Sequence, residues 1–328
     1  MKKKSKQKNI VVIGGGTGTY TVLTGLKQYP VNLTAIVSMA DGGGSTKILR
    51  EEFGILPPGS VRPALIALSN ASQTLAELFN FRFNKGSFNG HNFGNLFITA
   101  LTEQFGSFEK ALEEAGKILR IQGQVIPSTL ENVRLIAELE NGKIVRGETN
   151  IDVPKHDGNL RIQKIWLEPE AKGGTILYPP KANPKASSAI KAADLIVIGP
   201  GDLFSSIIPN FLAEGMSKAL QQAHGKKAYV CNIMTKFGET TGFSAKDFLD
   251  TIEKYLGENS IDYILANKTK PSKERVKKYE KEKAEFVEGS LKEFAGRKVK
   301  VVRGDFLRKK GFIRHDANKL AKALISLV

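Results

Sequence analysis

Six consecutive residues, Gly14-Gly15-Gly16-Thr17-Gly18-Thr19, have the makings of a phosphate cradle. They follow the apolar run Ile10-Val11-Val12-Ile13 and precede residues 20–26, whose apolar members recur at helical spacing. Strand, tight turn and helix is the order this predicts. Glycines let a backbone approach a ligand closely and take positive φ without strain. The helix behind them aims unsatisfied N–H groups and its positive dipole end at the turn. An anion, usually a phosphate, is the natural occupant. A P-loop would need Lys-Ser/Thr, and Thr19-Tyr20 is not that. The dinucleotide pattern G-x-G-x-x-G is met at Gly14 and Gly16 but broken at Thr19. Phosphate contact is therefore favoured over a plain structural turn, with no dinucleotide established.

Further polar residues stand in similar turns. Ser38-Met39-Ala40-Asp41-Gly42-Gly43-Gly44-Ser45-Thr46 follows the apolar run 33–37. Asp41 could take a ribose hydroxyl, hold a metal ion, or cap the next helix. Gly199-Pro200-Gly201-Asp202 follows the run 193–198, and Asn232, Thr235 and Glu239 lie at or beyond the end of the run 228–234. Arg62, near an expected helix start at 61, opposes the dipole there and hints at an anion, or simply faces solvent. His91 and Asn95 are four apart, which places both on one face of a helix opening near Gly94. Arg314 could meet a phosphate bidentately, and Asp316 is a good N-cap. The histidines, His91, His156, His224 and His315, lack metal-ligand spacing, and no metal is expected.

These residues need a frame that gathers them. The expected strands are 10–13, 33–37, 193–198, 228–234, 261–265 and 299–302; the expected helices include 71–81, 108–120, 245–256, a basic stretch 268–283 and one from 317. Ser60 is expected to cap the helix near 61. Strands alternating with helices predict an α/β fold: a Rossmann-like, doubly wound, mainly parallel sheet, whose carboxyl edge holds the ligand. Asn141-Gly142 between the runs 133–139 and 144–147 signals a hairpin, and 161–167 alternates as a third strand. A small antiparallel β insertion over 130–170, with Trp166 as its packing residue, thus interrupts one domain spanning 1–328. Residues 1–8 read as a basic flexible tail.

The chain has 328 residues, 41% hydrophobic and 25% charged, which describes an ordinary globular protein. No apolar run approaches the ~20 residues of a membrane helix, and no signal peptide is read in the short run behind the basic start. A single cysteine, Cys231, excludes a disulfide framework and fits a cytoplasmic setting as a buried small apolar residue. The net charge of +16 argues for a polyanion partner. Its lysines, however, lie in the tail and the basic stretch, without a base-stacking motif. A solvated helix and an acidic small ligand account for them, and nucleic acid is not expected.

The ordered motifs resemble the gluconeogenesis factor (YvcK) family, within the superfamily of 2-phospho-L-lactate transferase (CofD). They are Gly14–Gly18, Ala40-Asp41 with Gly43-Gly44-Ser45, Arg82–Gly86, Gly90-His91 with Gly94-Asn95-Leu96, Gly199-Pro200-Gly201, Cys231-Asn232 with Met234-Thr235 and Gly238-Glu239-Thr240, and Ile313–Asp316. The resemblance implies a cytoplasmic binder of UDP-sugars such as UDP-N-acetylglucosamine, tied to cell shape and cell-wall precursor supply on gluconeogenic carbon sources. It places ligand contacts on Tyr279 and Arg314. Together, the motifs and the resemblance give as ligand contacts Gly15, Gly16, Thr17, Gly18, Asp41, Gly44, Ser45, Arg62, Lys85, His91, Asn95, Gly199, Gly201, Asn232, Thr235, Glu239, Tyr279 and Arg314. The related transferase moves a phospholactyl group from a guanosine-diphosphate-linked donor, with Mg²⁺. This chain departs from the family at Asp41-Gly42, Ser60-Val61-Arg62-Pro63 and Asp202, and carries Ala317 where some relatives have a phosphorylated threonine.

Four functions stand side by side. A nucleotide-sugar-binding regulator needs no catalytic pair. A phosphoryl-group transferase would use Asp41 and, in that reading alone, Mg²⁺. An NAD-dependent oxidoreductase lacks the third glycine. A nucleic-acid binder rests on charge alone. A homo-oligomer is compatible with all four.

Overall fold

A computed structural model describes residues 7–170 and 179–328. Ten strands follow in chain order: β1 (Lys8–Gly14), β2 (Val31–Val37), β3 (Gln124–Pro127), β4 (Val133–Leu139), β5 (Ile144–Arg146), β6 (Ile162–Pro169), β7 (Leu195–Ile198), β8 (Lys226–Val230), β9 (Tyr263–Asn267) and β10 (Lys300–Gly304). Seven form a parallel sheet in the order β10-β9-β8-β7-β1-β2-β3, flanked by helices. Ile10–Ile13 and Leu195–Ile198 are buried without a break, as strands covered on both faces must be. From β1 the chain winds outward through β2 to β3, then crosses back to β7 and winds the other way. The order therefore reverses between β1 and β7, where such sheets open a crevice at their carboxyl ends.

The antiparallel sheet is ordered β5-β4-β6. Gly142 turns at φ +79°, and the Asn141 side chain accepts the Lys143 N–H at 3.0 Å. Ile162, Ile165 and Leu167 are its buried residues in β6. Trp166, expected to pack this sheet, points the other way, half-buried, with the Lys164 ammonium 5.8 Å from its ring centroid.

Four further expectations are corrected. Residues 1–6 of the expected tail lie outside the described residues, but Lys8 opens β1, its ammonium 3.2 Å from Asp194. Strand β3 was not foreseen. The helix expected near 61 runs Pro58–Leu68, with Pro57 at its N-cap and Ser60 inside the first turn; proline at the first helical position suits its fixed φ. That leaves Arg62 one turn in, away from the dipole's end. The basic stretch is a short helix, Lys273–Lys277, capped by Ser272, and then a 3₁₀ turn, Glu280–Glu282, that ends with Lys283 at φ 50°.

Candidate functional site

The helix Gly16–Leu26 starts from Gly15 in extended backbone, with no side chain capping it. Ser72, Asn92, Ser107, Asn183, Ser244, Ser272 and Asp316 all cap their helices with a side-chain oxygen. A bare terminus beside the switch point leaves N–H donors for a ligand. Gly16 takes φ +60° with nothing within 4 Å of where a Cβ would lie. Gly201 follows Gly199, itself at φ +73°, and a Cβ on Gly201 would lie 3.6 Å from the Gly15 carbonyl oxygen. Asn232, two residues past β8, donates its Nδ2 to the Gly201 carbonyl at 2.9 Å. A cavity of about 170 Å³ opens here, lined by Thr17, Gly18, Gly201, Asp202, Asn232 and Arg314, among others. A larger cavity, about 900 Å³, lies near Asn9, Val31 and Gln124, at the opposite edge of the sheet. The glycine turns are not there, so volume is a poor guide to the site.

A second cluster surrounds Asp41. Its Oδ1 accepts the Gly43 N–H at 2.9 Å, and its carbonyl accepts the Arg50 guanidinium at 2.6 Å. Burial raises the Asp41 pKa against the pull of those neighbours. The helix Gly44–Phe53 also starts bare, with Gly44 at φ +48°. Asn95 donates to Ser45 Oγ at 3.3 Å and accepts from Arg62 Nε at 3.1 Å. Arg62 also donates to Asn80 at 2.6 Å, so these bonds go to neutral amides. A cleft of about 670 Å³ opens between Gly44 and the small sheet, reaching Arg134, Arg146 and Glu148. Gly44 therefore borders this neighbouring cleft and does not line the switch-point cavity.

Other expected contacts are engaged elsewhere. His91 precedes the N-cap Asn92, so it does not share a helix face with Asn95. Lys85 is exposed on the loop before it, and neither residue lines the cavity. Thr235 is spent on Glu285, donating its N–H at 2.7 Å and accepting at Oγ1 from the Glu285 N–H at 2.8 Å. The Tyr279 hydroxyl accepts the Ile313 N–H at 2.8 Å and so braces the strap that carries Arg314. Cys231 is buried and its thiol is pushed up to about 12 by that burial, which makes it inert.

Glu239 belongs to a polar cluster that sequence reasoning missed. Its buried carboxylate accepts the N–H groups of Phe204 and Ser205 at 3.0 and 3.2 Å, and the Ser205 hydroxyl at 2.9 Å. It thereby fixes the turn after β7. The Lys236 ammonium lies 3.2 Å from Glu239 and 2.8 Å from Asp202, and contacts Asp152 of the insertion. Burial works against the charge of Lys236, but Glu239, Asp202 and Asp152 outweigh it and raise its pKa. Burial, with Asp202 adding, pushes Glu239 up to about 7. Glu148 is pushed up to about 8 by burial, then by Asp41 and Asp152. It is therefore protonated at neutral pH. Among the described residues, Asp152, Asp202 and Glu239 are the group whose carboxylate oxygens come within 4.8 Å of one another, as a cation site requires. Lys236 supplies the positive charge there.

Among the described residues no helix is long and apolar enough to cross a membrane. The family model for 2-phospho-L-lactate transferase CofD matches residues 10–307. The gluconeogenesis factor of Bacillus subtilis is 39% identical over 321 residues, which is 97% of this chain and 98% of that one. That of Listeria innocua is 40% identical over 331 residues, covering 100% and 98%. A crystal structure of a UPF0052 family member from Bacillus halodurans matches with a TM-score of 0.90 at 38% identity, covering 98% of this chain and 99% of that one.

Proposed function

The chain belongs to the 2-phospho-L-lactate transferase CofD family, among its gluconeogenesis factors, and from that membership we propose that it is a regulatory protein binding a nucleotide sugar such as UDP-N-acetylglucosamine. The observation that carries this reading is the bare helix start at Gly16, converging with Gly201, Asn232 and Arg314 on one cavity. Backbone N–H groups and a guanidinium suit a diphosphate. The exposed Arg314 lines the cavity from the strap, its guanidinium 5.2 Å from the Phe312 ring centroid. In the cell such a protein would sit in the cytoplasm and couple precursor levels to cell-wall supply on gluconeogenic carbon sources.

Isothermal titration tests this. Heat of binding with UDP-N-acetylglucosamine is expected, and Arg314→Ala should weaken it about tenfold or more without changing the melting temperature. An absence of heat with every UDP- or GDP-linked compound up to millimolar concentration overturns it.

A second reading, Mg²⁺-dependent phosphoryl-group transfer, is favoured by the Asp41 carboxyl group beside the open turn at Gly44. Mg²⁺ would neutralise phosphate charge. The oxygen set that best fits it, Asp152, Asp202 and Glu239, would first have to release Lys236. A Mg²⁺-dependent product lost in Asp41→Asn would favour this reading.

A further inference from the structure

The switch-point cavity has two chemically different walls. On one side are the backbone N–H groups at Thr17 and Gly18, which suit an anion. On the other are two acceptors that make no hydrogen bond. His315 is only 7% exposed; its ring donates to the Cys231 carbonyl, and its Nε2 has no partner. Asn232 donates its Nδ2 to Gly201, and its Oδ1 has no partner. The two donated bonds settle the orientations. A ring that gives its proton to a carbonyl presents a lone pair at its other nitrogen, and flipping the amide would set two oxygens against each other. Both atoms are buried. Buried acceptors left unmade are a standing cost, which a fitting ligand removes.

We propose that Asn232 Oδ1 and His315 Nε2 read hydrogen-bond donors on the ligand, so that the cavity selects a nucleoside diphosphate by an N–H or O–H group beyond its phosphates. This rests on the nucleotide reading above. For a donor to reach the two buried atoms, the Ile313–His315 strap, which Tyr279 braces, would have to shift slightly. The same chemistry can come from the imide or amide N–H of the base or from the ribose hydroxyls. The site discriminates because an analogue lacking the donor leaves both acceptors unpaired in the complex.

Calorimetric titration of the full chain, with the tighter of UDP and GDP as reference, tests the proposal. The comparison ligands are its base-N-methylated analogue and its 2′,3′-dideoxy analogue. One of these is expected to bind about tenfold or more weakly than the parent: the methylated one if the base is read, the dideoxy one if the ribose is read. In Asn232→Ala and in His315→Phe the same gap should shrink to about threefold or less. Either variant suffices should the other fail to fold, as judged by its circular dichroism melt. Equal binding of all three ligands to the unmodified protein overturns the proposal and leaves the nucleotide reading standing. So does a gap unchanged in a folded variant. If neither UDP nor GDP binds, both fall together.

Discussion

Gly18 and Pro200 are in such close contact that a Cβ on the glycine would stand 1.9 Å from the proline carbonyl oxygen. The first helix and the turn after β7 are thereby locked together by a missing side chain. Gly18→Ala should cost about 2 kcal/mol or more, because the obstacle is backbone that cannot rotate away. Gly16→Ala meets open space and pays only left-handed strain, about 1–2 kcal/mol. Urea unfolding of the two variants checks the ranking, and Gly18→Ala should also lose nucleotide affinity.

Lys236→Met should destabilise the protein by roughly 2–4 kcal/mol at neutral pH, since it strips the cation from Glu239, a fully buried carboxylate, and from Asp202 and Asp152. The double variant Lys236→Met/Glu239→Gln should recover part of that loss. Equal stability of the single and double variants would contradict the account.

Glu148 gives a pH signature of known sign. Its folded pKa, about 8, stands above the ordinary value of 4.5. Its contribution to stability is therefore complete below pH 4.5 and fades as pH rises toward 8. Glu148→Gln should match the native protein near pH 5 and exceed it at pH 8.5, by on the order of 1 kcal/mol after allowing for partial exposure. Melting curves at the two pH values decide it.

His315 runs the opposite way. Burial holds its ring down to about 4, below the ordinary 6.5. The folded protein binds fewer protons than the unfolded chain between those values, so stability drops as pH falls from 6.5 to 4. The full effect is on the order of 3 kcal/mol. His315→Phe should flatten that slope in acid denaturation.

Asp316 caps the last helix through bonds of 3.1 and 3.0 Å from the N–H groups of Asn318 and Lys319. Asp316→Ala should cost about 1 kcal/mol, read as a lower urea midpoint with unchanged slope.

Sequence legibility followed the range of the interactions. Largely apolar runs announced β1, β2 and β7, Asn141-Gly142 announced the hairpin, and Asp316 announced a cap, because each signal is local. Strand β3 has four residues, Gln124–Pro127, too few for a period to emerge. The Lys268–Lys283 stretch looked helical from composition, yet Ser272 caps only a single short helix there. In the site, the glycine turns could be read because positive φ and close approach demand glycine. The carboxylate cluster could not: Lys236 and Asp152 are 84 residues apart, and only the packed insertion brings them together. Thr235, Glu239 and Tyr279 were readable as important but not as braces, since a side chain that grips a loop and one that grips a ligand are of the same type.

Two of the helices that begin without a side-chain cap, those at Gly16 and Gly44, have a practical consequence at the bench. Sulfate, phosphate and citrate in a storage solution are drawn to the same positive poles as a nucleotide. A preparation kept in them would melt at a higher temperature and bind its true ligand more weakly in proportion to salt concentration. Screens run in such solutions would discard the compound being sought, whereas those run in zwitterionic amine buffers with chloride would retain it.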